Sequence, residues 1–192
     1  MAIKVGINGM GRIGRMVIRA IIESKNKNIE IKHINNRSNS EASCSLLKYD
    51  SIHGKFNTDL NFDEHHLVIN KNKISFSQES KVEDIDWKKN NVDYVFECTG
   101  KFNSKDKLLT HLKNGAKKVI VSAPCKNADK TIVYGVNENT LSKKDQIISA
   151  ASCTTNCLAP VANVLNENFQ IEKGFMTTIH AFTSDQRILD NS

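Results

Sequence analysis

The chain contains no apolar run approaching the roughly 20 residues that a membrane-spanning helix needs, so a role within the bilayer is set aside. It has no secretory hydrophobic segment behind Met1, which points to the cytoplasm and to reduced thiols. Its five cysteines, Cys44, Cys98, Cys125, Cys153 and Cys157, make neither a zinc ribbon nor a C-x-x-C pair, which removes the usual structural-metal and dithiol readings. No cluster of arginines and no interleaving of basic with aromatic residues occurs, so the net charge of +6 reads as a solvated lysine-rich surface and no specific nucleic-acid partner is expected. Internal repeats and low-complexity tracts are missing as well.

What remains is an ordinary globular composition, 39% hydrophobic and 25% charged, in a length that suits one large domain or one domain and the start of another. The apolar pattern alternates between strand and helix. Residues 3–8 and 29–35 read as strands joined by a helix on which Ile13, Met16, Val17, Ala20 and Ile21 recur at helical spacing. Residues 40–47 read as a helix, and residues 56–76 as antiparallel hairpins turning at Asn70-Lys71-Asn72. The βα rhythm resumes with a strand at 92–97, a helix at 104–114 capped by Gly115, and strands at 118–121, 131–134 and 146–149. A helix then starts at Ser152 or Cys153, with Pro160 tolerable only near its first turns, and residues 175–180 look like a further strand. The expectation is an α/β chain: a Rossmann-type parallel sheet with an antiparallel excursion over residues 1–151, then the opening of a second, α+β domain over 152–192.

Between the first strand and helix lies Gly9-Met10-Gly11-Arg12-Ile13-Gly14. In that context the G-x-G-x-x-G spacing carries a mechanism: Gly9 permits the tight turn, Gly11 lets backbone approach a pyrophosphate, and Gly14 allows close helix packing. The helix N-terminus offers free N–H groups to phosphate oxygens, with Arg12 nearby as a cofactor contact. An ordinary glycine turn is the competing reading. About 20 residues later an NAD site normally presents a carboxylate to the adenosine ribose. Here the stretch is Asn35-Asn36-Arg37-Ser38, with no acid before Glu41. An amide still bonds a ribose without repelling a 2′-phosphate, which Arg37 or Ser38 would receive; both NAD and NADP stay open.

Cys153 lies where a helix starts, so the dipole and free N–H groups favour its thiolate. His180 is the candidate base that takes up a proton as a thiohemiacetal loses hydride. Cys157, one turn on, is expected to pack inside. Thr154, Thr155, Thr183 and Ser184 add hydroxyls suited to phosphate, although each alone more often serves local backbone.

At these residues the chain resembles phosphorylating glyceraldehyde-3-phosphate dehydrogenase. The likeness runs through Ile7-Asn8-Gly9-Met10-Gly11-Arg12-Ile13-Gly14-Arg15, Leu47-Lys48-Tyr49-Asp50-Ser51-Ile52-His53-Gly54, Glu97-Cys98-Thr99-Gly100-Lys101-Phe102, Ser122-Ala123-Pro124, Ala151-Ser152-Cys153-Thr154-Thr155-Asn156-Cys157 and His180-Ala181-Phe182-Thr183-Ser184-Asp185-Gln186-Arg187. The resemblance implies Cys153 as nucleophile and His180 as base and thiolate activator. It implies Arg12, Ile13, Asn36, Thr99, Phe102 and Ser122 around the dinucleotide, Ser152 and Thr154 at the attacking inorganic phosphate, and Thr183 at the phosphate of glyceraldehyde 3-phosphate. The product would be an acyl phosphate, and the full-length enzyme a homotetramer. Asn36-Arg37 departs from the usual Asp-Leu or Asp-Pro, Met10 from a common Phe, and Ala181-Phe182 from a common Ser-Tyr. The family continues for well over a hundred further residues, so the chain is expected to be an N-terminal portion that turns over poorly by itself. Erythrose-4-phosphate dehydrogenase is the nearest enzymatic alternative, and a non-catalytic nucleotide-binding or redox-sensing module the alternative of another class.

Overall fold

The computed structural model describes residues 2–183. In chain order its elements are β1 (Ile3–Asn8), α1 (Arg12–Glu23), β2 (Ile29–Asn35), α2 (Ser40–Lys48), β3 (Tyr49–Asp50), β4 (Gly54–Lys55), β5 (Leu60–Asp63), β6 (His66–Ile69), β7 (Asn72–Ser77), β8 (Tyr94–Glu97), α3 (Lys105–Lys113), β9 (Lys118–Val121), β10 (Lys130–Thr131), β11 (Ile147–Ser149) and α4 (Cys153–Phe169). Nine strands form one mixed sheet in the order β10-β11-β9-β8-β1-β2-β7-β6-β5, and β3 with β4 makes a separate hairpin. β1 is central and pairs in parallel with β2 on one side and β8 on the other. Beyond β2 the sheet adds β7 in parallel and then turns antiparallel at β6 and β5, the expected excursion.

Val5 and Ile7 of β1, Ile31 and Ile34 of β2 and Ile18 of α1 are buried together with Leu47 and Phe56 in the largest core cluster. Each such side chain contributes about 1.5–3 kcal/mol on leaving water. A second cluster gathers around Trp87, and a third packs Leu108 of α3 onto Val119, Val121 and Ile147. The β6–β7 connection is a two-residue loop in which Asn70 and Lys71 have φ of 48° and 68°, the left-handed geometry that matches hairpin twist.

Several elements differ from the pattern in the sequence. On α1 the buried positions include Arg15 and Arg19, while Ile13 is half exposed. The arginines go inside because backbone carbonyls there need donors. Arg15 donates to the Met10 carbonyl at 3.0 Å, and Arg19 donates to Leu47 at 2.8 Å and Gly54 at 3.1 Å while lying over the Phe56 ring. The strand expected at 131–134 stops at Thr131 because the Val133 N–H turns to the Asn137 side chain. β8 starts at Tyr94, since the Val92 N–H closes a turn on the Trp87 carbonyl. Residues 175–180 form no strand, for no neighbouring strand pairs with them among the described residues. Pro160 sits in the third turn of α4 rather than the first, leaving the carbonyl four residues earlier, on exposed Asn156, to water. Cys157 is exposed, not packed inside.

Buried His33 lies between the Ser75 and Ser77 hydroxyls, at 2.7 and 2.9 Å, and burial pushes its imidazole from 6.5 down to about 4, the nearby Asp86 opposing. The folded-state value is below the unfolded one, so the unfolded chain takes up the proton first. Stability is therefore complete above pH 6.5 and is lost as pH falls through about 4, by about 3 kcal/mol at most. Urea unfolding across that window should show the loss, and His33→Gln should flatten it; an unchanged slope would assign the pH dependence to other groups.

Candidate dinucleotide cleft and thiol site

The carboxyl ends of β1, β2, β8, β9 and β11 lie along one edge of the sheet, ending at Asn8, Asn35, Glu97, Val121 and Ser149. Chain connections leave β1 toward β2 on one side and return at β8 on the other, which opens a crevice at this edge. A cleft of about 700 Å³ occupies it, and Gly9, Gly11, Asn36, Arg37, Thr99 and Phe102 are among its lining residues.

The three glycines differ in what demands them. Gly9 has φ +94°, and a Cβ there would lie 2.9 Å from Thr99 Cγ2. A Cβ on Gly14 would lie 1.9 Å from the Gly9 carbonyl oxygen, so helix and turn touch at that point. Gly11 lines the cleft in ordinary extended backbone, and a Cβ on it would meet no atom of the described residues within 4 Å. Nothing in the packing of the described residues asks for glycine at 11. Gly11 also caps α1 with no side-chain acceptor, which leaves the first helical N–H groups for an anion. Room, a bare backbone and free donors together fit a dinucleotide pyrophosphate.

Asn36 is held in place: its carbonyl oxygen accepts the Met10 N–H at 3.2 Å and its amide donates to Ser43 Oγ at 3.0 Å. Arg37 is exposed at the cleft and makes no hydrogen bond or ion pair among the described residues. Arg12, Ile13, Gly14 and Ser122 do not line the cleft. The Arg12 guanidinium bonds both carboxylate oxygens of Asp50, at 3.0 and 2.9 Å. Burial alone would raise the Asp50 carboxyl, but the N–H groups of His53 and Ile52 and the Arg12 cation outweigh it and hold it at about 2. Arg12 thus ties α1 to the β3–β4 hairpin. The Ser122 N–H bonds the Glu97 carbonyl, joining β9 to β8.

Cys153 is the first residue of α4, behind the cap Ser152, whose hydroxyl oxygen accepts the Thr155 N–H at 3.0 Å. Its Sγ lies 3.1 Å from His180 Nε2. His180 Nδ1 is 2.6 Å from the Ala181 carbonyl, an acceptor only, so Nδ1 carries a proton and Nε2 faces the sulfur. The bond to His180 lowers the thiol most; burial opposes it, and the N–H and hydroxyl of Thr154 lower it further. The Ala181 carbonyl and the sulfur raise the imidazole. Opposite shifts in the two partners favour a thiolate beside an imidazolium, the activated state of a cysteine nucleophile.

Thr154, Cys157 and His180 line a cavity of about 390 Å³ at this thiol. Ser152 and Thr183 do not; Ser152 faces a separate hollow with Asn103, Cys125 and Thr155. Adjacent helical residues project about 100° apart, so Ser152 and Thr154 cannot both follow Cys153. Expected positions 184–192 lie outside the described residues.

The cleft also uses residues that the spacing argument passed over: Asn8, Asn35, Cys98, Lys101 and, from a short 3₁₀ turn and its end, Val82 and Ile85. Asn8 and Asn35 had a signal, a polar residue closing an apolar strand. Val82 and Ile85 had none, since their role depends on where the β7–β8 connection folds.

The model of the glyceraldehyde 3-phosphate dehydrogenase NAD binding domain matches residues 3–105, and that of the family's C-terminal domain matches residues 152–192. The glyceraldehyde-3-phosphate dehydrogenase of Cereibacter sphaeroides is 48% identical over 190 residues, covering 99% of this chain and 56% of the relative. That of Geobacillus stearothermophilus is 49% identical over 191 residues, with the same coverage, and that of Clostridium pasteurianum 48% over 187 residues, covering 97% and 55%. The chain thus spans about half the length of the curated relatives it matches. A glycine turn on a central parallel strand, a helix-start thiol bonded to an imidazole and matches to both domain models lead to one assignment: the chain belongs to the glyceraldehyde 3-phosphate dehydrogenase family.

Proposed function

We propose that this chain carries the dinucleotide site and the thiol of an enzyme that oxidises glyceraldehyde 3-phosphate, with inorganic phosphate and NAD or NADP, to 1,3-bisphosphoglycerate. The observation that carries the reading is the 3.1 Å contact between Cys153 Sγ, at the start of α4, and His180 Nε2. The Cys153 thiolate adds to the aldehyde carbon, and the His180 imidazolium gives its Nε2 proton to the resulting alkoxide, which forms the thiohemiacetal and leaves a neutral imidazole. His180 Nε2 takes the hydroxyl proton as the carbon is oxidised, leaving a thioester on Cys153. The dinucleotide, when bound, supplies the hydride acceptor. Inorganic phosphate then attacks the thioester carbonyl, and the acyl phosphate leaves with Cys153 restored as thiolate. Thr154 lines the cavity at this thiol and bonds it through its hydroxyl; Ser152 and Thr183 are kept as phosphate contacts on the resemblance alone. Gly9, Gly11, Gly14, Asn36, Arg37, Thr99 and Phe102 are assigned to the dinucleotide, with Arg12, Ile13 and Ser122 in the same role on the resemblance.

The reading includes a boundary after Ala151, a homotetramer for the full-length protein and a cytoplasmic location. No helix among the described residues is long and apolar enough to cross a membrane.

The cleft favours tolerance of a 2′-phosphate. Asn36 brings no charge, and Arg37 is a cation on the same wall with no ion pair among the described residues, although the exposed Glu79 carboxylate also faces the cleft. Asn36→Asp keeps the acceptor for Met10 N–H and adds a charge near the ribose. It is expected to lower the NADP to NAD affinity ratio by about tenfold, as one or two kcal/mol of repulsion would. Calorimetric titration with both dinucleotides measures it, and an unchanged ratio would reject Asn36 as selector.

The function is tested by assaying the 192-residue chain beside the same chain continued with the C-terminal part of the Geobacillus stearothermophilus relative. Reduction of NAD or NADP that requires glyceraldehyde 3-phosphate and phosphate, and is lost with Cys153→Ala, is expected in the continued protein. Preference for erythrose 4-phosphate would reassign the substrate, and dinucleotide binding without aldehyde oxidation would leave a binding module.

A further inference from the structure

Beneath the cleft, side chains at the ends of four adjacent strands form one hydrogen-bonded row. Glu97 of β8, Asn8 of β1, Asn35 of β2 and Ser77 of β7 are register partners in successive parallel pairings. Asn8 Nδ2 donates to Glu97 Oε2 at 2.6 Å, Asn35 Nδ2 donates to Asn8 Oδ1 at 2.9 Å, and Ser77 Oγ donates to Asn35 Oδ1 at 2.8 Å. Glu97, Asn8 and Asn35 are each 3% exposed or less.

The row is anchored by a carboxylate with no arginine or lysine bound to it among the described residues. Four donors face Glu97: Asn8 Nδ2, His111 Nε2 at 3.0 Å, and both the N–H and the hydroxyl of Thr99, at 2.8 and 2.5 Å. His111 acts as a donor because Trp87 Nε1, which can only donate, bonds its Nδ1 at 2.9 Å and leaves the ring proton on Nε2. Every group around Glu97 gives a proton, so the site requires an acceptor on all sides, which a carboxylate is and a Gln amide is not. Thr99, with its only hydroxyl proton given to Glu97, accepts the Lys101 N–H at 3.1 Å. That bond closes the turn through Gly100, which has φ +72° and leads to Lys101 and Phe102 on the cleft wall. Thr99 also packs against Gly9, where a Cβ would lie 2.9 Å from its methyl group.

We infer that Glu97 is a positioning residue for the dinucleotide: its buried carboxylate, acting through Thr99 and Asn8, fixes the spacing between the glycine turn and the adjacent 99–102 turn, both of which line the cleft. The inference rests on the dinucleotide reading of this cleft and concerns how that site is held, not what reacts in it.

Calorimetric titration of the 192-residue chain with NAD and with NADP, alongside Cys153 alkylation and thermal melting, tests it. Glu97→Gln and Thr99→Val are each expected to weaken dinucleotide binding by about tenfold or more, with melting still cooperative and Cys153 alkylation unchanged. Thr99→Ser, which keeps the hydroxyl, should regain most of the affinity lost in Thr99→Val. Should Glu97→Gln fail to fold, Thr99→Val decides, since it leaves the Asn8 and His111 bonds to Glu97 in place. Binding by Thr99→Val within about twofold of the parent would overturn the inference. A parent chain that binds neither dinucleotide would overturn the cofactor reading itself, and the inference with it.

Discussion

Replacing His180 with Asn is expected to slow alkylation of Cys153 at neutral pH by about tenfold or more, and Cys153→Ala to abolish both that reaction and any thioester. The imidazole is the largest single influence holding the thiol below its ordinary value, ahead of the Thr154 N–H and hydroxyl. With it gone, less thiolate is present at neutral pH, and the midpoint of the rate-against-pH profile moves upward. The helix start remains, so reactivity falls toward that of an ordinary cysteine without vanishing. Exposed Cys157 supplies an internal reference, since modification can be read site by site by mass spectrometry. A profile for Cys153 that is unchanged in His180→Asn would remove His180 as activator. Both groups are open to solvent, so raising salt should also weaken their mutual effect.

The second large effect separates two glycines that one motif makes look alike. Gly14→Ala drives a methyl group into the Gly9 carbonyl, where the Cβ would stand at 1.9 Å. Backbone has to move, and a loss of about 3 kcal/mol or more is expected, with dinucleotide binding lost as well. Gly11→Ala meets no atom of the described residues within 4 Å and asks for no unusual dihedral. Its cost to the fold is at most about 1 kcal/mol, from a poorer helix cap. Its cost to dinucleotide binding should nonetheless be about tenfold or more, because the methyl group would stand where phosphate oxygens approach backbone. Chemical denaturation and calorimetry on both variants distinguish the cases. A Gly11→Ala chain that binds NAD and NADP as tightly as the parent would remove the pyrophosphate from this turn.

The two glycines also show how far a sequence pattern reaches. The spacing assigned each glycine a different task, and the contacts at Gly9 and Gly14 agree with it. The same pattern placed Arg12 near the cofactor, where the fold pairs it with Asp50, 38 residues away. A long side chain at a helix start has many carboxylates within reach, and only the tertiary path of the 49–55 hairpin selects one. His180 was a candidate by its chemistry and by the family resemblance, since 27 residues of separation say nothing about contact. The Ala181 carbonyl then fixes which ring nitrogen faces the sulfur.

What the sequence determined by itself was whatever is set by local spacing: the strand–glycine turn–helix at the start, the helix beginning at Ser152 or Cys153, and the turn around Asn70-Lys71-Asn72. Period, caps and turn residues act over a few positions, and no distant partner can change them. Tertiary structure alone decided which polar groups go inside. Arg15 and Arg19 lie on the apolar side of α1 because carbonyls of the Met10 turn, Leu47 and Gly54 converge there. Glu97 is buried with no arginine or lysine bound to it among the described residues because Asn8 and His111 arrive from two distant places in the chain, beside neighbouring Thr99, with hydrogen bonds to donate. A buried charge is acceptable only when its hydrogen bonds are complete, and completeness is a property of the assembled sheet edge that no window of sequence contains.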